Sequence, residues 1–171
     1  ANRKEAEGMV RVGDAAVLDA RALLLPNGRI VSRSIDNRIG AYVVAEALRL
    51  LAGDRPKHAA VLAVASTQEE IAWTGGGART VATGLEPHAA LVVDVTHATD
   101  HPGADKKLQG DHRIGGGPVF SRGSSVHPVV FDMLVECAEA EGIPYTLQAA
   151  PHDTGTDADA ARTLIRTNRR D

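Results

Sequence analysis

Apolar residues recur at helical spacing in some stretches of this chain and crowd into short continuous runs in others. Between Asp36 and Gly53, the residues Ile39, Val43, Ala47, Leu48 and Leu51 fall on one face of a helix that Asp36 can cap and Gly53-Asp54 can stop. His127-Pro128 opens another helix, with Val130, Met133, Leu134 and Cys137 turned inward and Gly142 at its end. Shorter helices are predicted within 75–83 and from Asp157 to Ile165. The runs His58–Ser66 and Ala89–Val93 are rich in Val and Ala without polar alternation, the mark of strands buried on both faces. Pro144 to Gln148 reads as a further strand, and 99–125 as a long glycine-rich loop. Residues 9–33 have a different rhythm. Alternation in Met9-Val10-Arg11-Val12 and turns at Gly13-Asp14 and Pro26-Asn27-Gly28 predict a β-hairpin module. From Ser34 onward strands are separated by helices, which predicts an α/β fold, a three-layer α/β/α sandwich.

Composition narrows the function. A chain of 171 residues with 43% hydrophobic content can bury one sizeable core, so one main domain is expected. A net charge of −3 and the lack of any Lys/Arg run leave no footprint for nucleic acid. No stretch has the length of a transmembrane helix and no N-terminal segment has signal-peptide form, so no membrane partner is expected. The single Cys137 excludes an internal disulfide framework and points to the cytoplasm. Cys137 itself reads as a small core residue of its helix. The chain opens on Ala1 in a polar segment and stops at Asn168-Arg169-Arg170-Asp171, which reads as incomplete at both ends.

Candidate chemistry sits where the apolar runs end. Glu69-Glu70 follows the first run through Ser66-Thr67-Gln68, and Asp94 closes the second. Adjacent carboxylates resist ionising together, and ligands of open α/β sheets gather at the carboxyl ends of strands. Acids converging on such an edge need a cation to be stable in their charged form, so metal is the first expectation. If the Glu69-Glu70 segment is extended, its two side chains point to opposite sides, which suits one base and one ligand.

Five blocks in order carry a family resemblance: Ser32-Arg33-Ser34-Ile35-Asp36-Asn37-Arg38-Ile39-Gly40-Ala41-Tyr42, Thr67-Gln68-Glu69-Glu70-Ile71, Asp94-Val95-Thr96-His97-Ala98-Thr99-Asp100-His101-Pro102-Gly103, Gly115-Gly116-Gly117-Pro118 and Gly155-Thr156-Asp157-Ala158. Together they resemble the M42 family of metallo-aminopeptidases. The resemblance implies hydrolysis of N-terminal residues from peptides at a site of two divalent metal ions, zinc or cobalt. Asp36 would bridge the two metals, Glu70 and Asp94 would each bind one, and Glu69 would be the general base toward the attacking water. Residues 1–33 would be the end of a small inserted β domain and 34–171 an incomplete catalytic domain. The complete protein would be a homo-oligomer. A full family site also uses an early and a late histidine, in segments with no counterpart here, so a partial or empty site and an inactive isolated chain are expected.

Other readings stay open beside this one. The chain could be a truncated, non-catalytic homologue acting through assembly or binding. A glycan hydrolase is a third reading, although adjacent glutamates pointing apart do not flank one glycosidic bond. His97 and His101 are four apart, but Pro102 and the neighbouring glycine argue for a loop with exposed or cleft histidines. His58, His88, His112, His127 and His152 read as caps and surface residues. Asp157 reads as a structural acid in a first helical turn, and Trp73 as a packing or rim residue. Gly75-Gly76-Gly77 lacks the Lys and the spacing of a phosphate loop.

Overall fold

A computed structural model describes residues 2–71 and 76–167 of the chain; Trp73 lies outside them. The fold is mixed α/β, and the chain divides into two compact units, Ala1–Arg38 and Ile39–Asp171.

In the first unit, α1 (Arg3–Glu7) begins with a capping box. The Asn2 side chain accepts from the Glu5 amide, and the Glu5 side chain reaches back to the Asn2 amide. Strands β1 (Leu23–Leu25) and β2 (Arg29–Val31) pair antiparallel around Pro26-Asn27-Gly28. Asn27 takes the left-handed conformation that the tight connection requires, with φ 63°. The expected turn is therefore present, but the strands are only three residues long, and Met9–Val12 forms no strand. Alternation by itself supplies no ladder, and Met9 and Val12 stay open to solvent.

Helix α2 (Ile35–Leu51) leads into the second unit, which holds α3 (Gly76–Leu85), α4 (Lys106–Gln109), β3 (Val119–Gly123), α5 (Pro128–Ala140), β4 (Thr146–Ala150) and α6 (Asp157–Thr167). Strands β3 and β4 run parallel, from Val119 opposite Thr146 to Gly123 opposite Ala150. Parallel neighbours need a crossover, and α5 is that crossover. It packs on β3 through Phe131, which is 5% exposed and has the Arg122 guanidinium 5.4 Å above its ring. Helices α3 and α6 lie against each other, and each contributes a buried alanine, Ala82 and Ala161. Small side chains there let the two backbones approach closely.

Several expectations are corrected. His58–Ser66 and Ala89–Val93 carry no strand hydrogen bonding among the described residues, and Leu62 and Leu91 are 59% and 62% exposed. A strand exists only through a neighbour's hydrogen bonds, and here an open volume of about 1170 Å³ separates 88–96 from parts of β3, β4 and α5. Of the expected α5 face, Val130 and Leu134 are half-buried but Met133 and Cys137 are exposed, and the residues fully buried are Phe131 and Ala138. On α2 only Gly40 is buried, while Ile39, Val43 and Leu48 remain open. Within the stretch read as loop, β3 is an element that glycine density concealed. Among the described residues no helix is long and apolar enough to cross a membrane.

Candidate active site

Glu69 and Glu70 sit on a single 3-10 turn, Glu69–Ile71, directly after the first apolar run. The turn replaces the extended segment assumed from sequence. With three residues per turn, successive side chains diverge by roughly 120° rather than by half a circle. The two carboxylates still leave the backbone in different directions, with Glu69 half-buried and Glu70 exposed. Gln68 enters the turn at φ 64°, in the left-handed region that non-glycine residues rarely hold, and its carbonyl accepts from the Ile71 amide at 3.4 Å.

The entry to this turn is anchored at two successive residues. The Gly77 amide donates to the Thr67 carbonyl at 2.8 Å. A Cβ on Gly77 would meet the Thr67 nitrogen at 2.6 Å, so only glycine lets the start of α3 press on Thr67 this closely. One residue earlier, the Ser66 hydroxyl donates a short hydrogen bond to Asp157 Oδ2 in the first turn of α6. Asp157 does lie at the helix start, as its pattern suggested. The capping work there belongs to others: the Thr156 hydroxyl accepts from the Ala158 amide at 3.2 Å, and Asp159 accepts from the amides of Thr154 and Gly155 at 3.1 and 2.9 Å. The Ser66–Asp157 link was not foreseen. Its one sequence signal is two acids, Asp157 and Asp159, in a first turn that one of them suffices to cap.

Asp94 ends the second run half-buried, and its Oδ1 accepts from the Val95 amide at 2.8 Å. It lines the open volume together with Thr96 and Gln148, whose side chains approach at 3.4 Å. Asp36 belongs to the first unit, and Glu69, Glu70 and Asp94 to the second. Asp36 stands at φ −80° and ψ 110° in the first turn of α2, two residues after Ser34 at φ 58°, and the Asp36-Asn37 peptide bond is cis.

As donors, Asp36, Glu70 and Asp94 are of the type that divalent cations take. Their grouping is another matter: among the described residues, no three His, Cys, Asp or Glu side chains gather closely enough to hold an ion. His97 and His101 are exposed, and His101 Nδ1 is 2.9 Å from the Pro102 carbonyl. His112 overturns its surface reading. It is 4% exposed, with Nδ1 2.8 Å from the Thr146 hydroxyl. Thr99 and His112 pair through their backbones, the Thr99 amide donating to the His112 carbonyl at 2.6 Å, and this draws the histidine inside the glycine-rich stretch.

The acidic turn and Asp94 thus each follow an apolar run on a mixed α/β scaffold. The M42 glutamyl aminopeptidase family model matches residues 1–167, and the chain belongs to that family. It is 34% identical to a putative aminopeptidase of Acetivibrio thermocellus over 150 residues, covering 86% of this chain and 43% of the relative. It is 33% identical to the lysyl aminopeptidase of Pyrococcus furiosus over 158 residues, covering 92% and 43%. Among solved structures, the TET aminopeptidase from the marine sediment archaeon Thaumarchaeota archaeon SCGC AB-539-E09 superimposes with a TM-score of 0.68 at 31% identity, covering 86% of this chain and 40% of that one. The chain therefore spans less than half the length of these relatives.

Proposed function

We propose that this chain is the part of a metal-dependent aminopeptidase that carries its general base, Glu69, and three of its metal donors, Asp36, Glu70 and Asp94. The observation that supports this best is the anchored turn: a half-buried and an exposed glutamate, adjacent in a turn whose entry is tied at Ser66 and Thr67, within a chain matched by the M42 family over residues 1–167. A pair of divalent ions, when bound, supplies Lewis-acid polarisation of the scissile carbonyl. The residues of this chain supply the rest. Glu69 takes a proton from the attacking water and delivers it to the leaving amine, a transfer that a positioned carboxylate performs near neutral pH. Partial burial restrains its rotamers. Glu70, being exposed, is available as a donor. The substrate class is peptides with a free N-terminus. The scaffold that completes these parts is a three-layer α/β/α sandwich, with residues 1–33 closing an inserted β domain. The complete protein is a cytoplasmic homo-oligomer.

The test is release of N-terminal amino acids from peptides by the protein as its gene encodes it. Glu69→Gln is expected to lower turnover by about two to four orders of magnitude with metal content retained, because it removes the base and keeps the shape. Glu70→Gln is expected to lose metal. Equal metal loss in both variants would refute this division of roles.

A second reading, a non-catalytic homologue that acts by assembly or binding, is favoured by one observation: no metal-holding group of three side chains forms among the described residues. The same assay separates the two, since that reading expects no amino-acid release even with Zn²⁺ or Co²⁺ supplied.

A further inference from the structure

We infer that Asp157 is a positioning residue for the glutamate turn: it holds Ser66, and through Ser66 sets where Glu69 and Glu70 stand. This rests on the proposed role of Glu69. Four features of the second unit converge on it. Ser66 is the last residue before the turn segment, and its hydroxyl is given to a residue 91 positions away, so the bond joins the end of the first run to α6. The Asp157 carboxylate is given to Ser66, while the side-chain contacts at the start of α6 come from Thr156, to the Ala158 amide, and from Asp159, to the amides of Thr154 and Gly155. The next residue, Thr67, is bound to Gly77, so the segment that enters the turn is tied at two successive residues. Directly after them Gln68 is held at φ 64°, a conformation that costs roughly 1–2 kcal/mol for a residue with a Cβ and persists only where its surroundings enforce it. Loss of the Ser66 tie removes one of the two ties that hold the backbone entering Gln68, and loosens the turn that carries both glutamates.

A carboxylate is suited to this task. It accepts more strongly than a neutral oxygen, and both Ser66 and Asp157 are half-buried, where water competes less for the hydroxyl. Helices α3 and α6 pack against each other, so a tie at the start of α6 and a tie at the start of α3 fix the turn to one rigid pair.

The experiment compares Ser66→Ala, Asp157→Ala, Asp157→Asn and Asp159→Ala in the protein as its gene encodes it. Amide hydrogen exchange is followed over residues 67–71 and at Gly77, together with kcat and KM for a peptide substrate. Ser66→Ala and Asp157→Ala are expected to speed exchange across 67–71 and Gly77 by about tenfold, the scale of a lost charge-assisted hydrogen bond. They are expected to lower kcat by at least that factor, with KM within about twofold. Asp157→Asn keeps an acceptor oxygen and is expected to rescue both readouts. Asp159→Ala is expected to speed exchange only at 154–160. Unchanged exchange at 67–71 in Asp157→Ala, or the same loss in Asp157→Asn as in Asp157→Ala, overturns the inference. Absence of peptidase activity in the unmodified protein overturns the proposed function instead, and the exchange data still decide the tie.

Discussion

Gly117→Ala puts the glycine loop to a quantitative test. Gly117 stands at φ +91°, and a Cβ there would lie 1.7 Å from the Pro144 carbonyl oxygen. Carbon and oxygen in non-bonded contact need roughly 3.3 Å, so the entry to the β3–β4 pair must part by more than about 1.5 Å. The hydrogen bond from the Thr146 amide to the Pro118 carbonyl, 3.0 Å long, is one residue away on the Gly117 side and two on the other. It does not survive that separation. Two costs add: about 1–2 kcal/mol for placing a Cβ at positive φ, and about 1–3 kcal/mol for the broken bond and its stranded groups. Two other glycines separate these costs. Gly115 has φ +81° and nothing within 4 Å of the place a Cβ would take, so Gly115→Ala carries only the first. Gly123 is not at positive φ, yet its Cβ would meet the Ala150 oxygen at 1.7 Å, so Gly123→Ala carries only the second. Urea unfolding with a shared slope measures each variant. Gly117→Ala is expected to be the most destabilised, by about 2–5 kcal/mol. If it matches Gly115→Ala within about 0.5 kcal/mol, the close approach has no energetic weight and the reasoning fails.

Other outcomes are expected on the same grounds. Phe131→Ala should cost about 3–5 kcal/mol in thermal unfolding, because a ring only 5% exposed leaves a cavity between α5 and β3; a loss below about 1 kcal/mol would contradict that packing. The Tyr145 hydroxyl donates to Glu139 Oε1 at 3.0 Å, and this bond, with the adjacent negative charge, raises the phenol above its ordinary range. Its contribution to stability is therefore complete below the ordinary tyrosine range and is lost as pH rises through the raised value. Glu139→Gln should return phenolate absorbance to the ordinary range, and an unmoved titration would refute the assigned cause. Calorimetric titration of the 171-residue chain with Zn²⁺ should show weak binding or none, because no three candidate donors group among the described residues. Tight binding abolished by Asp36→Ala would show that other side chains, His97 or His101 first, complete the site.

Local chemistry was readable from sequence because each signal acts over a few residues. The helix ending before Gly53, the helix opened by His127-Pro128 and the Pro26-Asn27-Gly28 turn stand where proline and glycine place them, while Asp36 lies inside α2 rather than capping it and His127 makes no side-chain cap. The ordered acidic and glycine blocks carried the family, since such motifs record chemistry in residue identity. What depends on distant partners was not readable. The runs His58–Ser66 and Ala89–Val93 have the composition of buried strands, but strand formation depends on pairing with a distant segment, and neither run forms a strand among the described residues. The face that α5 buries was misjudged because Phe131 and Ala138 are selected by β3, not by the helix's own periodicity. Asp157 and Ser66 are 91 positions apart, and His112 is drawn inside by its pairing with Thr99 and Thr146. Residue types at short range determined the helices, the turn and the acids, while tertiary structure decided which side chains meet, because meeting depends on backbone segments that periodicity does not relate.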